Sequence, residues 1–203
     1  MARWDGGVDL ELYVDGEQRP VPEDAGPTLE DVLRAVQVTV SGSGRAITTI
    51  NLDGTEMLPD AEAENVSRPA ADFQKIEIIT ADAADWGRHG LGEAASALGQ
   101  LADEFNGIAD QLRGGNRAEA VSSFMSAVEA YGQIVTAMVN AAGLASVKTP
   151  EGFEESLQKV TTAMKDMAPE IQAEDSVAAA DLAEYEVAEA MCELAELVKG
   201  MAG

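Results

Sequence analysis

From Asp82 to Gly203 apolar residues recur every three or four positions, in four successive blocks. Leu91, Ala94, Leu98, Leu101, Phe105, Ile108 and Leu112 form the first stripe and predict a helix from near Ala84 to Leu112. Gly87, Gly90, Gly92 and Gly99 weaken its first half, at ~1 kcal/mol per Gly relative to Ala, and predict fraying or a late start there. Gly114-Gly115 is a helix stop, and Asn116 with Glu119 is a capping pair for a second helix. That helix carries Val121, Phe124, Met125, Val128, Tyr131, Val135, Met138, Val139 and Ala142, and Gly143 is predicted to end it. Thr149-Pro150-Glu151 reads as a helix start, with a cap, a proline at the first helical position and an acid in the first turn. The third stripe is Phe153, Leu157, Val160, Met164, Met167 and Ile171, with Pro169 expected to kink or end it. A fourth helix begins near Asp175 or Ser176 and carries Val177, Ala180, Val187, Met191, Leu194, Val198 and Met201. Short connections favour antiparallel neighbours, so residues 83–203 are expected to form an all-α antiparallel four-helix bundle. Helices some 40 Å long, at about 1.5 Å per residue, often bury only part of their stripe within one chain. A homodimer is therefore expected.

Residues 1–82 follow a different pattern. Val8 to Val14 alternates strictly, with Val8, Leu10, Leu12 and Val14 on one face, as in a half-buried strand. Asp15-Gly16 is a tight-turn pair, and the return strand near Gln18–Pro22 carries two prolines, so it should be short or at an edge. Thr28 with Asp31 is a capping box for a helix bearing Val32, Leu33, Val36 and Val40, which Ser41-Gly42-Ser43-Gly44 ends. Arg45–Leu52 is β-branched and strand-like, Asp53-Gly54 gives a second turn, Pro59 to Ala71 reads as irregular, and Lys75–Thr80 is a final strand.

The order hairpin, helix, strand, crossover, strand resembles the β-grasp superfold of ubiquitin, the sulfur-carrier proteins and the TGS domains. The likeness rests on the hairpin Val14-Asp15-Gly16, the helix Thr28–Val38, and the strands Ala46–Gly54 and Ile76–Thr80. It implies an α+β chain: a β-grasp-like domain over 1–82 joined to the bundle over 83–203. β-grasp carriers act through a free C-terminal Gly-Gly, whereas here the last strand runs into Ala81-Asp82-Ala83. The use that remains is binding or dimerisation. The whole order, ending in a helix that contains Asp181-Leu182-Ala183-Glu184-Tyr185-Glu186-Val187, is similar to a group of uncharacterised bacterial proteins. That likeness implies a bacterial cytoplasmic protein.

The net charge is −24, from 37 acidic and 13 basic residues, and the acids are spread over both halves. Nucleic acid and anionic membrane surfaces recruit clustered Lys and Arg, so neither is an expected partner. A saline cytoplasm or a basic protein partner would each account for the acidity. No run approaches the length of a membrane span, and Met1–Gly7 lacks the apolar region of a signal peptide. Aromatics are only 4%, so the core must be built from aliphatic residues, Ala and Met.

Chemistry is sparse. A di-iron bundle needs a Glu and a His three residues apart; His89 is the single histidine, and Trp86 stands at that position. Cys192 is the single cysteine, which excludes an internal disulfide and a multi-cysteine zinc site, and it reads as a small core residue. The expected metal, cofactor and catalytic residues are therefore none. Glu184 falls between Ala180 and Val187 on the fourth stripe. It is either a buried acid that fixes register or binds a basic partner, or a margin residue that reaches solvent. Met125/Met138 and Met164/Met167/Met191 are core, or adaptable partner seams. The candidate interaction residues are Asp181, Glu184, Tyr185 and Met191. The expected function is a non-enzymatic, self-associating interaction protein in the cytoplasm. The alternative is an acidic chaperone or adaptor for a basic or hydrophobic partner of secretion or flagellar type.

Overall fold

The computed structural model describes residues 10–58 and 65–203. It divides into two compact units, Met1–Asp85 and Trp86–Gly203. The first is a mixed α/β layer and the second is helical, so the chain is α+β.

The first unit is a five-stranded mixed sheet of order β2-β1-β5-β3-β4. Its strands are β1 (Glu11–Val14), β2 (Glu17–Arg19), β3 (Arg45–Leu52), β4 (Thr55–Glu56) and β5 (Lys75–Asp82), with helix α1 (Leu29–Ser41) between β2 and β3. β1 and β5 pair in parallel at the centre, Leu12 opposite Ile76, while every other pairing is antiparallel. Val8 and Asp9 of the expected first strand, and residues 59–64 of the expected irregular stretch, lie outside the described residues. Beyond the latter, Ala70–Asp72 form a short 3₁₀ turn.

Local chemistry fixes these elements. The Thr28 hydroxyl accepts from the Asp31 amide, and the Asp31 carboxylate accepts from the Thr28 amide, each at 3.2 Å, which closes the expected capping box. Both Asp-Gly turns put two consecutive residues at positive φ, the requirement of a type I′ hairpin. Each Asp also docks on β5. Asp15 Oδ1 accepts from the Thr80 amide at 2.8 Å, and Asp53 Oδ1 accepts from the Gln74 and Lys75 amides at 2.9 and 2.8 Å. β2 stops at Arg19, because Pro20 has no amide to continue the ladder. Leu29, Val32, Val36 and Val40 of α1 share a core with Leu12, Leu52, Ile76 and Ile78 of the sheet.

The second unit is built from α2 (Ala83–Arg113), α3 (Arg117–Ala145), α4 (Phe153–Gln172), α5 (Ser176–Asp181) and α6 (Glu189–Ala202), with a π-helical segment, Leu182–Ala188, joining α5 to α6. All seven predicted apolar positions of α2 are buried. Its start does not fray. Asp82 Oδ1 accepts from the amides of Ala84 and Asp85, so the helix follows β5 without a loop. Gly87 lies where α2 meets α3: a Cβ there would sit 2.5 Å from the Ala141 carbonyl oxygen and 2.9 Å from the Ala145 Cβ. That glycine permits close helix approach.

Other sequence expectations are corrected. The Asn116 side chain makes no capping hydrogen bond, and α3 passes Gly143 to end at Ser146 in the left-handed conformation. Thr149 and Pro150 lie outside any helix and Glu151-Gly152 form a turn, so α4 starts at Phe153 after Gly152 at φ 84°. Pro169 lies inside α4, which continues to Gln172. The helix start expected near Asp175 or Ser176 is found at Ser176, with Asp175 as its cap, accepting from the Ala178 amide. Val177, placed on the fourth stripe, is 69% exposed. Ahead of Val187 the buried positions are Ala183, Ala180 and Ala179, which keep helical spacing, and Val177 and Glu184 lie at the margin of that arc. Among the described residues, no helix is long and apolar enough to cross a membrane.

Candidate functional site

The four predicted interaction residues sit at or near the π segment. Asp181 ends α5, Glu184 and Tyr185 lie within the segment, and Met191 lies in α6. Arg113, the last residue of α2, reaches two of them. Its Nη2 donates to Asp181 Oδ1 at 3.0 Å, and its Nη1 pairs with Glu184 Oε2. The Glu184 and Asp181 carboxylates, in that order, raise the guanidinium pKa above its ordinary value. A cation also suits the negative end of a helix. Glu184 is thus a margin residue, 32% exposed in its side chain, whose basic partner belongs to its own chain. Tyr185 is exposed. Met191 is fully buried and is a core residue, not a surface contact, because it is in phase with Val187, Leu194, Val198 and Met201. Cys192, expected in the core, is exposed for the same reason: it lies one residue, about 100°, round the helix from Met191. The acidic pair is brought together, and the Tyr–Met pair is divided between surface and core.

The groups capable of chemistry are dispersed or satisfied. His89 is exposed beside Trp86, with its Nε2 3.5 Å from Glu93. Among the described residues no group of three His, Cys, Asp or Glu side chains is placed to hold a metal ion. The most connected polar cluster belongs to the first unit. Asp15 accepts from the Thr80 hydroxyl at 2.7 Å, Arg45 Nε donates to that hydroxyl at 2.6 Å, and Arg45 Nη2 reaches Asp15 at 3.3 Å. Hydrogen bonds from Thr80, helped by Arg45, hold the Asp15 carboxyl below its ordinary range. These groups close a hairpin onto β5. Asp15, Thr80 and Arg45 are thereby tied to one another.

The candidate surface that sequence reasoning missed is on α3. That helix was given one broad stripe, and the structure divides it into two arcs. Ala120, Ala127, Tyr131, Met138, Ala141 and Ala145 face the core. Met125, at 68% exposed, Val128 and Val139 face away. Met125 therefore does not form a core seam with Met138. From Ala120 to Val147 the single charged residue is Glu129, in a chain that is 25% charged. That local loss of charge was legible and was the signal available. Beside this arc, Tyr131, Gly132 and Val135 form one wall of a cleft of about 490 Å³, with Leu157 and Thr161 of α4 opposite. The Tyr131 hydroxyl donates to the Leu157 carbonyl at 3.4 Å at its base. The arrangement offers an apolar, nearly uncharged strip to a complementary apolar surface.

Residues 90–197 match the family model described as a domain of unknown function (DUF8042). Residues 10–82 match the TP0873 N-terminal domain. No curated protein and no solved structure matches the chain.

Proposed function

The chain belongs to the family of the domain of unknown function DUF8042, and from that premise we propose a non-enzymatic interaction protein that self-associates through its helical unit. The observation that carries the reading is the outward arc of α3, where Met125, Val128 and Val139 are exposed on a helix with one charged residue between Ala120 and Val147. Isolated exposed apolar residues are ordinary, whereas a contiguous strip marks an interaction surface. The first unit acts as a second docking module of β-grasp type. Support for that type comes from the sheet order β2-β1-β5-β3-β4, with its parallel central pair and α1 packed on one face. The helical unit is an antiparallel four-helix bundle in this reading. The short connections at 114–116, 146–152 and 173–175 support it, as does α4 packed along residues 176–202. The protein acts in the cytoplasm.

Light scattering of the full chain at low and high concentration tests self-association. A mass that rises with concentration is expected, and a monomer at both refutes it. The second reading, an acidic adaptor for a basic partner of secretion or flagellar type, is favoured by the charge of −24. Salt separates the two. Added salt screens the mutual repulsion of like-charged copies and strengthens their association, while it weakens a complex with a basic partner.

A further inference from the structure

We propose that α3 is a self-complementary seam, on which a second copy of this chain lays its own α3 antiparallel about Ala130. The proposal rests on self-association through the helical unit and specifies where and in which direction it occurs.

The seam is written in the spacing. Ala118, Val121, Met125, Val128, Gly132, Val135, Val139 and Ala142 alternate by three and four without a break, the heptad repeat of a two-helix contact. The arc that faces the chain's own core is a different set, centred on Ala127, Tyr131 and Met138. Within the heptad set Met125, Val128 and Val139 are exposed, at 68%, 41% and 59%, while Val121, Val135 and Ala142 are partly buried against the chain's own core. The exposed members, in coiled-coil register, call for a helix as their occupant.

Three features select a second copy and set its direction. First, the molecule carries −24 charges, so two copies can meet only where charge is sparse, and this arc is such a place. An oppositely charged partner would be drawn to the acid-rich faces instead. Second, antiparallel pairing about Ala130 sets Val121 against Val139, Met125 against Val135 and Val128 against Gly132. Val128 then meets the space left by Gly132, and no position meets its own copy. Parallel pairing would stack Met125 on Met125 and leave Gly132 facing Gly132. Third, α3 runs from Arg117 to Ala145, with its midpoint one residue from Ala130, so the paired helices overlap almost end to end. Antiparallel alignment also opposes the helix dipoles and keeps the Glu119 side chains of the two copies apart. Glu129 lies at the edge of the strip near the two-fold axis, so the two copies of it repel weakly and salt tightens the dimer.

The test uses the full chain with Cys192→Ser, so that introduced cysteines are the only thiols. Val121→Cys and Val139→Cys are treated with a short bis-maleimide, each alone and mixed. The expected result is a cross-linked dimer in the mixture and little in either sample alone. Efficient cross-linking of each variant with itself overturns the antiparallel seam while leaving self-association standing. In parallel, sedimentation equilibrium measures Met125→Glu and Val139→Glu, whose wild-type side chains are exposed, with circular dichroism confirming the fold. Each is expected to raise the dimer dissociation constant on the order of 100-fold, a tenfold loss for each carboxylate forced into the seam. A dimer that both variants leave intact overturns the seam alone. A wild-type chain that stays monomeric at every concentration and salt overturns the seam and the self-association reading together.

Discussion

Replacing Gly87 by Ala sets two opposite effects against each other on one helix. Within α2, alanine is favoured over glycine by about 1 kcal/mol, because glycine loses more backbone freedom on folding. Against this, the new Cβ would lie 2.5 Å from the Ala141 carbonyl oxygen, 2.9 Å from the Ala145 Cβ, and closer still to the Ala145 amide nitrogen. Ordinary contact begins near 3.4 Å, so α2 and α3 must separate by close to an ångström at this point. Two of the three obstructing atoms are backbone and cannot rotate away. Overpacking costs typically 1–3 kcal/mol, and a backbone obstruction lies at the upper end, so Gly87→Ala should destabilise by roughly 2 kcal/mol net. Gly92 and Gly107, on the same helix with open space around the Cβ position, are the controls. Alanine at either should stabilise by ~0.5–1 kcal/mol. Urea unfolding followed by far-ultraviolet circular dichroism measures all three, since the helices dominate that signal. If Gly87→Ala is as stable as Gly92→Ala, the close approach of α2 to α3 is wrong.

Two further outcomes follow from named contacts. The Asp15 carboxyl is held below its ordinary value of 3.8 by the Thr80 hydroxyl and amide and by Arg45. A depressed folded pKa means that this stabilisation is complete above the ordinary value and is lost as pH falls through the folded one. Hydrogen exchange of the Thr80 amide should therefore show wild type better protected than Asp15→Asn near neutrality, with the gap closing below about pH 4. A gap that widens on acidification would contradict the sign. In a double-mutant cycle, Arg113→Met and Glu184→Gln should show a favourable coupling that shrinks with added salt, as an exposed ion pair requires. Zero coupling at low salt would mean that Arg113 does not hold the π segment.

Sequence alone determined what short-range chemistry decides. The Thr28–Asp31 box, the two Asp-Gly turns, the full extent of β3 and the start of α5 at Ser176 all depend on groups within a few residues of one another. Each is found where the local pattern puts it. The same holds for the stripe of α2, whose apolar positions define a single arc. Tertiary structure decided the rest wherever the local pattern admits two answers. α3 is apolar around so much of its circumference that periodicity cannot say which arc turns inward. The choice falls on the alanine-rich arc, because Gly87 lets a small-residue surface come close. On the final helix the spacing admits Glu184 as a buried acid or as a margin residue; Ala183 takes the core position, and Glu184 pairs with Arg113 at the margin. Thr149-Pro150-Glu151 has the composition of a helix start, yet the helix begins only at Phe153, after a turn at Glu151-Gly152. Caps and turns are set by bonds along the chain. Which face is buried is set by the neighbour it meets, and here that leaves Met125, Val128 and Val139 of α3 exposed.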